Sequence, residues 1–128
     1  MYRISVEKTF ASAHRLRIEG HKCENLHGHN WRVILTVQGN VLDEFGMLVD
    51  FHILKALLSS EVEIFDHRYL NECPPFDQEN PTTENLCRHL ANAISPRLPK
   101  GVSVHSVTVH ESEGSIGSYI IEQQERTE

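Results

Sequence analysis

His27-Gly28-His29-Asn30-Trp31-Arg32-Val33-Ile34-Leu35-Thr36-Val37-Gln38 alternates with a period of two. Trp31, Val33, Leu35 and Val37 share one side, with Arg32, Thr36 and Gln38 opposite, the pattern of a strand with one buried face. Gly39-Asn40 stops this strand, and Asp43 to Gly46 reads as a turn. Upstream, residues 2–14 repeat the pattern, with Tyr2, Ile4, Val6 and Phe10 on one parity and Arg3, Ser5, Glu7 and Thr9 on the other. Downstream, Asp50 is placed to cap a short helix over about 51–60 with Phe51, Leu54, Leu57 and Leu58 as its apolar stripe. Residues 61–80 carry Pro74-Pro75 and many Asp, Glu and Asn residues, and read as irregular. Pro81-Thr82-Thr83-Glu84 opens a second helix that Pro96 stops, its buried face Leu86, Leu90, Ala93 and Ile94. Two strands close the chain, about 102–111 (Val102, Val104, Val107, Val109) and about 117–123. The order ββααββ predicts an α+β fold with both helices on one face of an antiparallel sheet. No repeat or linker interrupts it, so residues 1–128 read as a single domain. The bare sheet face and edges predict a homo-oligomer.

The 128 residues hold 12 Lys and Arg against 18 Asp and Glu, a net charge of −6 with histidine neutral. That balance excludes a general nucleic-acid or anionic-membrane surface, either of which needs a clustered positive field. No apolar run is long enough to span a bilayer, and Met1-Tyr2-Arg3 leads into a strand pattern instead of a signal peptide. Cys23, Cys73 and Cys87 are odd in number and form no C-x-x-C pair, which fits a reducing compartment and a cytoplasmic protein. The anomaly is nine histidines.

His27 and His29 have the parity of Trp31 and Val33, and His14 that of Val6 and Phe10, so all three should point inward at one end of the sheet. Gly28 between two of them suits a close backbone approach. Three neutral imidazoles with one open position are the ligand set of a catalytic Zn²⁺; the alternative is histidines satisfied by hydrogen bonds. Cys23 precedes His27 by four residues. Beside a dication its thiol would ionise readily and serve as base or nucleophile; otherwise it is a half-buried thiol. Asp66-His67 reads either as a carboxylate-oriented imidazole for acid–base work or as a surface pair. Glu111 shares the parity of Val107 and Val109, and an inward carboxylate needs donors. Those are two parallel N–H groups of a heterocycle, or a backbone amide. His21, His52, His89, His105 and His110 read as mostly solvated, Cys73 as a loop thiol and Cys87 as a small helix residue near the core.

Several runs carry a resemblance: Phe10-Ala11-Ser12-Ala13-His14-Arg15-Leu16, Cys23-Glu24-Asn25-Leu26-His27-Gly28-His29-Asn30 and Asp43-Glu44-Phe45-Gly46-Met47-Leu48-Val49-Asp50-Phe51. They continue with Asp66-His67-Arg68-Tyr69-Leu70-Asn71, Pro81-Thr82-Thr83-Glu84-Asn85-Leu86 and Val109-His110-Glu111, with Tyr119 after them. From about residue 3 to 120, and in consistent order, the chain resembles the 6-pyruvoyl-tetrahydropterin synthase / 6-carboxy-tetrahydropterin synthase family. The resemblance implies the tunnelling fold, whose ββααββ subunits form trimeric barrels stacked into hexamers with active sites between subunits. It implies His14, His27 and His29 as zinc ligands, Cys23 as the catalytic base, and Asp66 and His67 as its acid–base partners. Glu111 would anchor the 2-amino and N3 hydrogens of a pterin, with Thr82 and Thr83 lining that pocket. The implied substrate is 7,8-dihydroneopterin triphosphate.

The spacing Cys-x₃-His-Gly-His resembles the bacterial 6-carboxy enzymes, which serve queuosine (7-deazaguanine) biosynthesis and release acetaldehyde. Glu24 opens an alternative, because folate-branch members resemble Glu-x-x-His-Gly-His here and cleave the same side chain to leave 6-hydroxymethyl-7,8-dihydropterin. A further alternative is a non-catalytic pterin-binding oligomer with a structural zinc. Arg15, Arg17, Lys22 and Arg68 are candidates for the triphosphate.

Overall fold

The alternating stretches become two long strands, β1 (Tyr2–His14) and β2 (His27–Gly39), paired antiparallel from Tyr2↔Gly39 to His14↔His27. This computed structural model describes residues 1–18 and 26–122. Helix α1 (Phe51–Val62) follows, then a two-residue strand β3 (Arg68–Tyr69), helix α2 (Thr83–Ile94), β4 (Val102–Ser112) and β5 (Ser115–Ile120). The sheet runs β3-β1-β2-β4-β5, antiparallel except where β3 lies parallel to β1 at Ser12↔Arg68 and Ala13↔Tyr69. This is the expected α+β architecture with both helices on one sheet face.

That face buries Val6, Phe10, Trp31, Val33, Leu35, Val37, Val104, Val107 and Val109, and the helices close over it. Helix α1 begins as expected: Asp50 accepts a hydrogen bond from His52 N–H at 2.8 Å. It contributes Leu54, Leu58 and Val62, a single row of i, i+4 contacts. Phe51 shares that side of the helix but, as its first residue, is half exposed, while Leu57 of the expected stripe sits on the flank, only partly buried. Thr82 caps α2 by accepting from Asn85 N–H at 3.1 Å. The buried residues of α2 are Thr83, Leu86, Cys87, Leu90, Ala91 and Ile94. Ala91 thus takes the place expected for Ala93, because the 100° step per residue puts 91 over 87 and leaves 93 on the flank.

Strand β4 contains a switch of parity. Val104 is even while Val107 and Val109 are odd, and all three are buried because the pairing with β2 shifts between Thr36 and Val37. An extra residue in one strand is what lets both parities face one side. A second irregularity lies between His110 and Ser112, where β4 pairs with β5, and Glu111 sits in it.

The stretch expected to be irregular, 61–80, still fills space. Phe65, Leu70, Cys73 and Phe76 are buried, and His89 of α2 sits against both phenyl rings at 5.6 Å. His89 is therefore not the solvated residue the sequence predicted, and burial lowers its pKa. The opposite sheet face is polar: Ser5 and Thr36 hydroxyls meet at 2.7 Å, Thr108 and Ser118 at 2.7 Å, and Arg32 pairs with Glu7 at 2.9 Å. Among the described residues no helix is long and apolar enough to cross a membrane.

Candidate metal centre and acid–base pair

Register brings the three imidazoles together. His14 ends β1, His27 begins β2 directly opposite it, and His29 stands one pleat further along the same face. Trp31 floors the cluster, its ring 4.8 Å from that of His14 and 5.3 Å from that of His29, and its indole N–H donates to Ser12 O. The Nε2 atoms of His14 and His27 are 3.1 Å apart. Glu111 Oε1 lies 3.2 Å from Nε2 of His14, 3.9 Å from that of His27 and 2.9 Å from that of His29. Its Oε2 accepts a 3.0 Å hydrogen bond from Thr83. The sequence placed Glu111 nearby as a pterin anchor; the structure also brings it into the cluster of possible metal donors.

Proton accounting tests whether this set fits a cation. Pro81 O can only accept, so His14 must carry its proton on Nδ1, 2.8 Å away, and its Nε2 lone pair faces inward. His29 Nε2 is shielded from solvent and forms no hydrogen bond of sound geometry among the described residues. Burial lowers the His29 pKa, the nearby Glu111 carboxylate raises it in part, and His27 and His14 lower it again. A cation at the centre would let all three imidazoles turn a lone pair inward; without one, the His14–His27 contact is a hydrogen bond in which His27 Nε2 donates to His14. Zinc held at about 2.0–2.1 Å by nitrogen or oxygen sets its donors roughly 3.3 Å apart in a tetrahedron. The observed separations straddle that spacing, and the four donor atoms all lie within 4.8 Å of one another. The residues fit a zinc ion.

Asp66 and His67 are docked differently. Ala11 of β1 gives its N–H to Asp66 Oδ1 at 2.9 Å and its carbonyl takes the N–H of His67 at 2.6 Å. His67 Nδ1 lies 3.0 Å from Asp66 Oδ1. The backbone of His67 is left-handed, φ 57°, which throws its ring outward to 82% exposure. The Ala11 hydrogen bond is the main reason the Asp66 pKa falls, with smaller help from His67 and Lys8. The ring overlooks an open cavity of about 470 Å³ lined by Ala11, Ala13, Gly28, Asn30 and Tyr69. Ala11 and Ala13 have the parity opposite to His14, so their side chains meet this cavity from the other sheet face, while His29 of the trio borders it as well. Gly28 borders it, and a Cβ there would meet open space instead of the close backbone approach expected.

The remaining expectations divide. Cys23, Glu24 and Lys22 lie outside the described residues. Thr82 serves the helix cap and Thr83 supports Glu111. Arg17 donates through Nη2 to the carbonyls of Phe76 and Glu79, while Arg15 and Arg68 are exposed. Sequence reasoning missed two asparagines: Asn71 bonds both N–H and C=O of Arg15, and Asn80 those of Arg17. Each amide mimics a strand partner for the segment leaving His14. No periodicity marks such clamps, since the contacts span 56 and 63 positions. Cys73 and Cys87 are both buried; burial raises the Cys73 pKa and pushes that of Cys87 up to about 11.

Three convergent imidazoles at one end of a helix-backed five-stranded sheet make this an α+β protein with a candidate metal centre, and its fold is the tunnelling fold of the solved tetrahydropterin synthases. The structure of Caenorhabditis elegans 6-pyruvoyl tetrahydropterin synthase superposes with a TM-score of 0.79 at 25% identity, over 95% of this chain and 98% of that one. The profile described as 6-pyruvoyl tetrahydropterin synthase matches residues 3–122, and the chain belongs to that family. An Archaeoglobus fulgidus protein, named provisionally as a 6-carboxy-5,6,7,8-tetrahydropterin synthase, is 39% identical over 111 residues, covering 86% of this chain and 88% of its own. A Rickettsia typhi 6-carboxy-5,6,7,8-tetrahydropterin synthase is 31% identical over 106 residues, 70% of this chain and 77% of its own. A Pyrococcus furiosus dihydroneopterin monophosphate aldolase is 33% identical over 109 residues, 85% of this chain and 89% of its own.

Proposed function

We propose that the chain is a zinc-dependent lyase, a 6-carboxy-5,6,7,8-tetrahydropterin synthase that acts on 7,8-dihydroneopterin triphosphate. It releases triphosphate and acetaldehyde and serves queuosine biosynthesis in the cytoplasm. The observation that carries this reading is the convergence of His14, His27 and His29 through Nε2. The Archaeoglobus and Rickettsia relatives support the product assignment.

His14, His27 and His29 would hold the ion. Zinc, when bound, supplies Lewis-acid polarisation of an oxygen on the substrate side chain. Glu111 takes the 2-amino and N3 hydrogens of the pterin, steadied through Oε2 by Thr83. Cys23 removes a proton from the side chain. His67, oriented through Nδ1 by Asp66, keeps Nε2 free to accept or return one. Within one chain that ring faces away from the trio, so the complete centre is assigned to two chains, the Asp66–His67 pair of one beside the trio of the next. Trimeric barrels stacked into a hexamer supply that arrangement.

The Pyrococcus relative favours a second reading. In it Glu24, beside Cys23, drives cleavage to 6-hydroxymethyl-7,8-dihydropterin. Mass spectrometry of the products formed from 7,8-dihydroneopterin triphosphate separates the two. The 6-carboxy product together with acetaldehyde, lost in Cys23→Ala, supports the first. A hydroxymethyl product that survives Cys23→Ala and stops in Glu24→Gln supports the second. No turnover, with assembly lost on chelation, would leave a pterin-binding oligomer built around a structural zinc.

A further inference from the structure

We infer that His89 is a positioning residue for the Asp66–His67 pair: its ring, packed against Phe65 and Phe76, fixes the backbone from which the pair projects. The inference rests on the acid–base reading of that pair given above and adds a residue to it. Three observations carry it. The three rings form a closed triangle, with His89 5.6 Å from each phenyl, the phenyls 5.5 Å from each other, and both phenylalanines fully buried. Phe76 is the fixed wall of that triangle: its N–H donates to Cys73 O at 2.7 Å and its carbonyl accepts from Arg17 Nη2 at 2.8 Å. Phe65 is the wall that bears on the site, because it directly precedes Asp66 and its carbonyl accepts from Arg68 N–H at 3.3 Å, so that its backbone brackets the pair at both ends.

The pair needs such backing. His67 has a left-handed backbone, φ 57°, which a residue with a side chain keeps only where its surroundings impose it. Ala11 holds the pair from one side through its N–H and carbonyl. On the other side Phe65 anchors it in the core, and the His89 ring on α2 fills the space that would otherwise let Phe65 move. Burial lowers the His89 pKa against the opposing pull of Glu61 and Glu79, so at neutral pH the side chain packs as an uncharged aromatic ring. Those two carboxylates are engaged in turn by Arg97 and Arg88. A shift of about 1 Å at a reacting group is enough to cost on the order of a hundredfold in rate.

The test measures kcat and KM for 7,8-dihydroneopterin triphosphate, with bound zinc, in His89→Ala, His89→Phe, His67→Gly and the double variant of His67→Gly with His89→Ala. His89→Ala is expected to lower kcat about ten- to a hundredfold while KM and zinc content stay within about twofold of the wild type. His89→Phe, which keeps a flat ring against both phenyls, should recover most of that loss. In the His67→Gly background, His89→Ala should cost less than about twofold, because a residue that acts only through the pair has nothing left to position. Amide exchange supplies a readout apart from turnover: the N–H groups of Ala11 and His67 should exchange faster in His89→Ala while those in the middle of β2 stay protected. Should His89→Ala fail to assemble, His89→Leu carries the same comparisons, since it fills much of the space without the ring. Equal losses in the two backgrounds, or an unchanged kcat in His89→Ala, overturn the inference and leave the acid–base reading intact. A His67→Gly protein that turns over at the wild-type rate overturns that reading and the inference together.

Discussion

The imidazole trio and the Asp66–His67 pair both join histidine to carboxylate, yet they are built in opposite ways. His14, His27 and His29 stand on two strands whose register runs unbroken over their whole length, with His14 almost fully buried. Their positions relative to one another cannot change without breaking the ladder. His67 hangs from the edge of β1 by hydrogen bonds to a single residue, Ala11, and its ring is exposed. A rigid inner cluster suits a metal, whose ligands must not drift. An outward ring on a tethered loop suits a group that works against a surface other than its own.

The sharpest way to break this contrast is to remove a trio member. His14→Ala and His27→Ala are each predicted to lose bound zinc and to lower turnover by about three orders of magnitude or more, the scale of losing an essential catalytic group. His14→Ala should also cost roughly 1–3 kcal/mol of stability, because Pro81 O loses its buried donor. Metal analysis and thermal denaturation of the same samples check both halves. Zinc retained in both variants would undo the contrast.

His67→Gly should do the reverse. Turnover is predicted to fall about 10²- to 10⁴-fold, the range for a general acid–base group. Zinc content should hold, and stability should stay level or rise, since glycine adopts the left-handed backbone at φ 57° without strain. A variant that loses zinc would mean that the two regions are coupled within one chain.

Acid should separate the regions as well. The Asp66 pKa is depressed in the fold, chiefly by the Ala11 N–H, so what this bond adds to stability is present above the ordinary carboxylate range. It fades as pH falls through the depressed value. Amide exchange at Ala11 is expected to be slow at neutral pH and to gain protection-losing openings only on strong acidification, an effect absent in Asp66→Asn.

The smallest predicted effect sits behind Glu111. A Cβ added at Gly117 would come within 3.0 Å of Thr83 Cγ2. Gly117→Ala is therefore expected to weaken metal or pterin binding by up to about tenfold, by pushing Thr83 off the carboxylate. Adding Thr83→Ser removes the clashing methyl, keeps the hydroxyl and should restore most of the loss. Absence of rescue in the double variant would place the damage in β5 instead.

Much of this was legible before any coordinates, for a physical reason. Where one sheet face is buried, side chains alternate strictly, so the parity of Val6, Phe10, Trp31 and Val33 carried His14, His27 and His29 inward with them. Capping chemistry is equally local: Asp50 was read as a cap, and Pro81-Thr82-Thr83-Glu84 as a helix start, from their neighbours alone. Long-range features were not legible. Strand β3 exists because Ala11 captures the His67 N–H, which no pattern within Arg68–Tyr69 announces. The burial of His89 depends on two phenylalanines arriving from the irregular stretch. Glu111 was read as inward from the parity of Val109, but only the pairing of β4 beside β2 shows that inward means against the trio. The change from even Val104 to odd Val107 marked the other bulge in plain view, and only the pairing partner gave it meaning.

The central claim is that three imidazoles hold one zinc ion, and elemental analysis by mass spectrometry of gently purified protein tests it most directly. Close to one zinc per chain in the wild type, falling to background in His27→Ala and His29→Ala while assembly persists, is the predicted result. A wild type without zinc, or variants that keep a full complement, would contradict it.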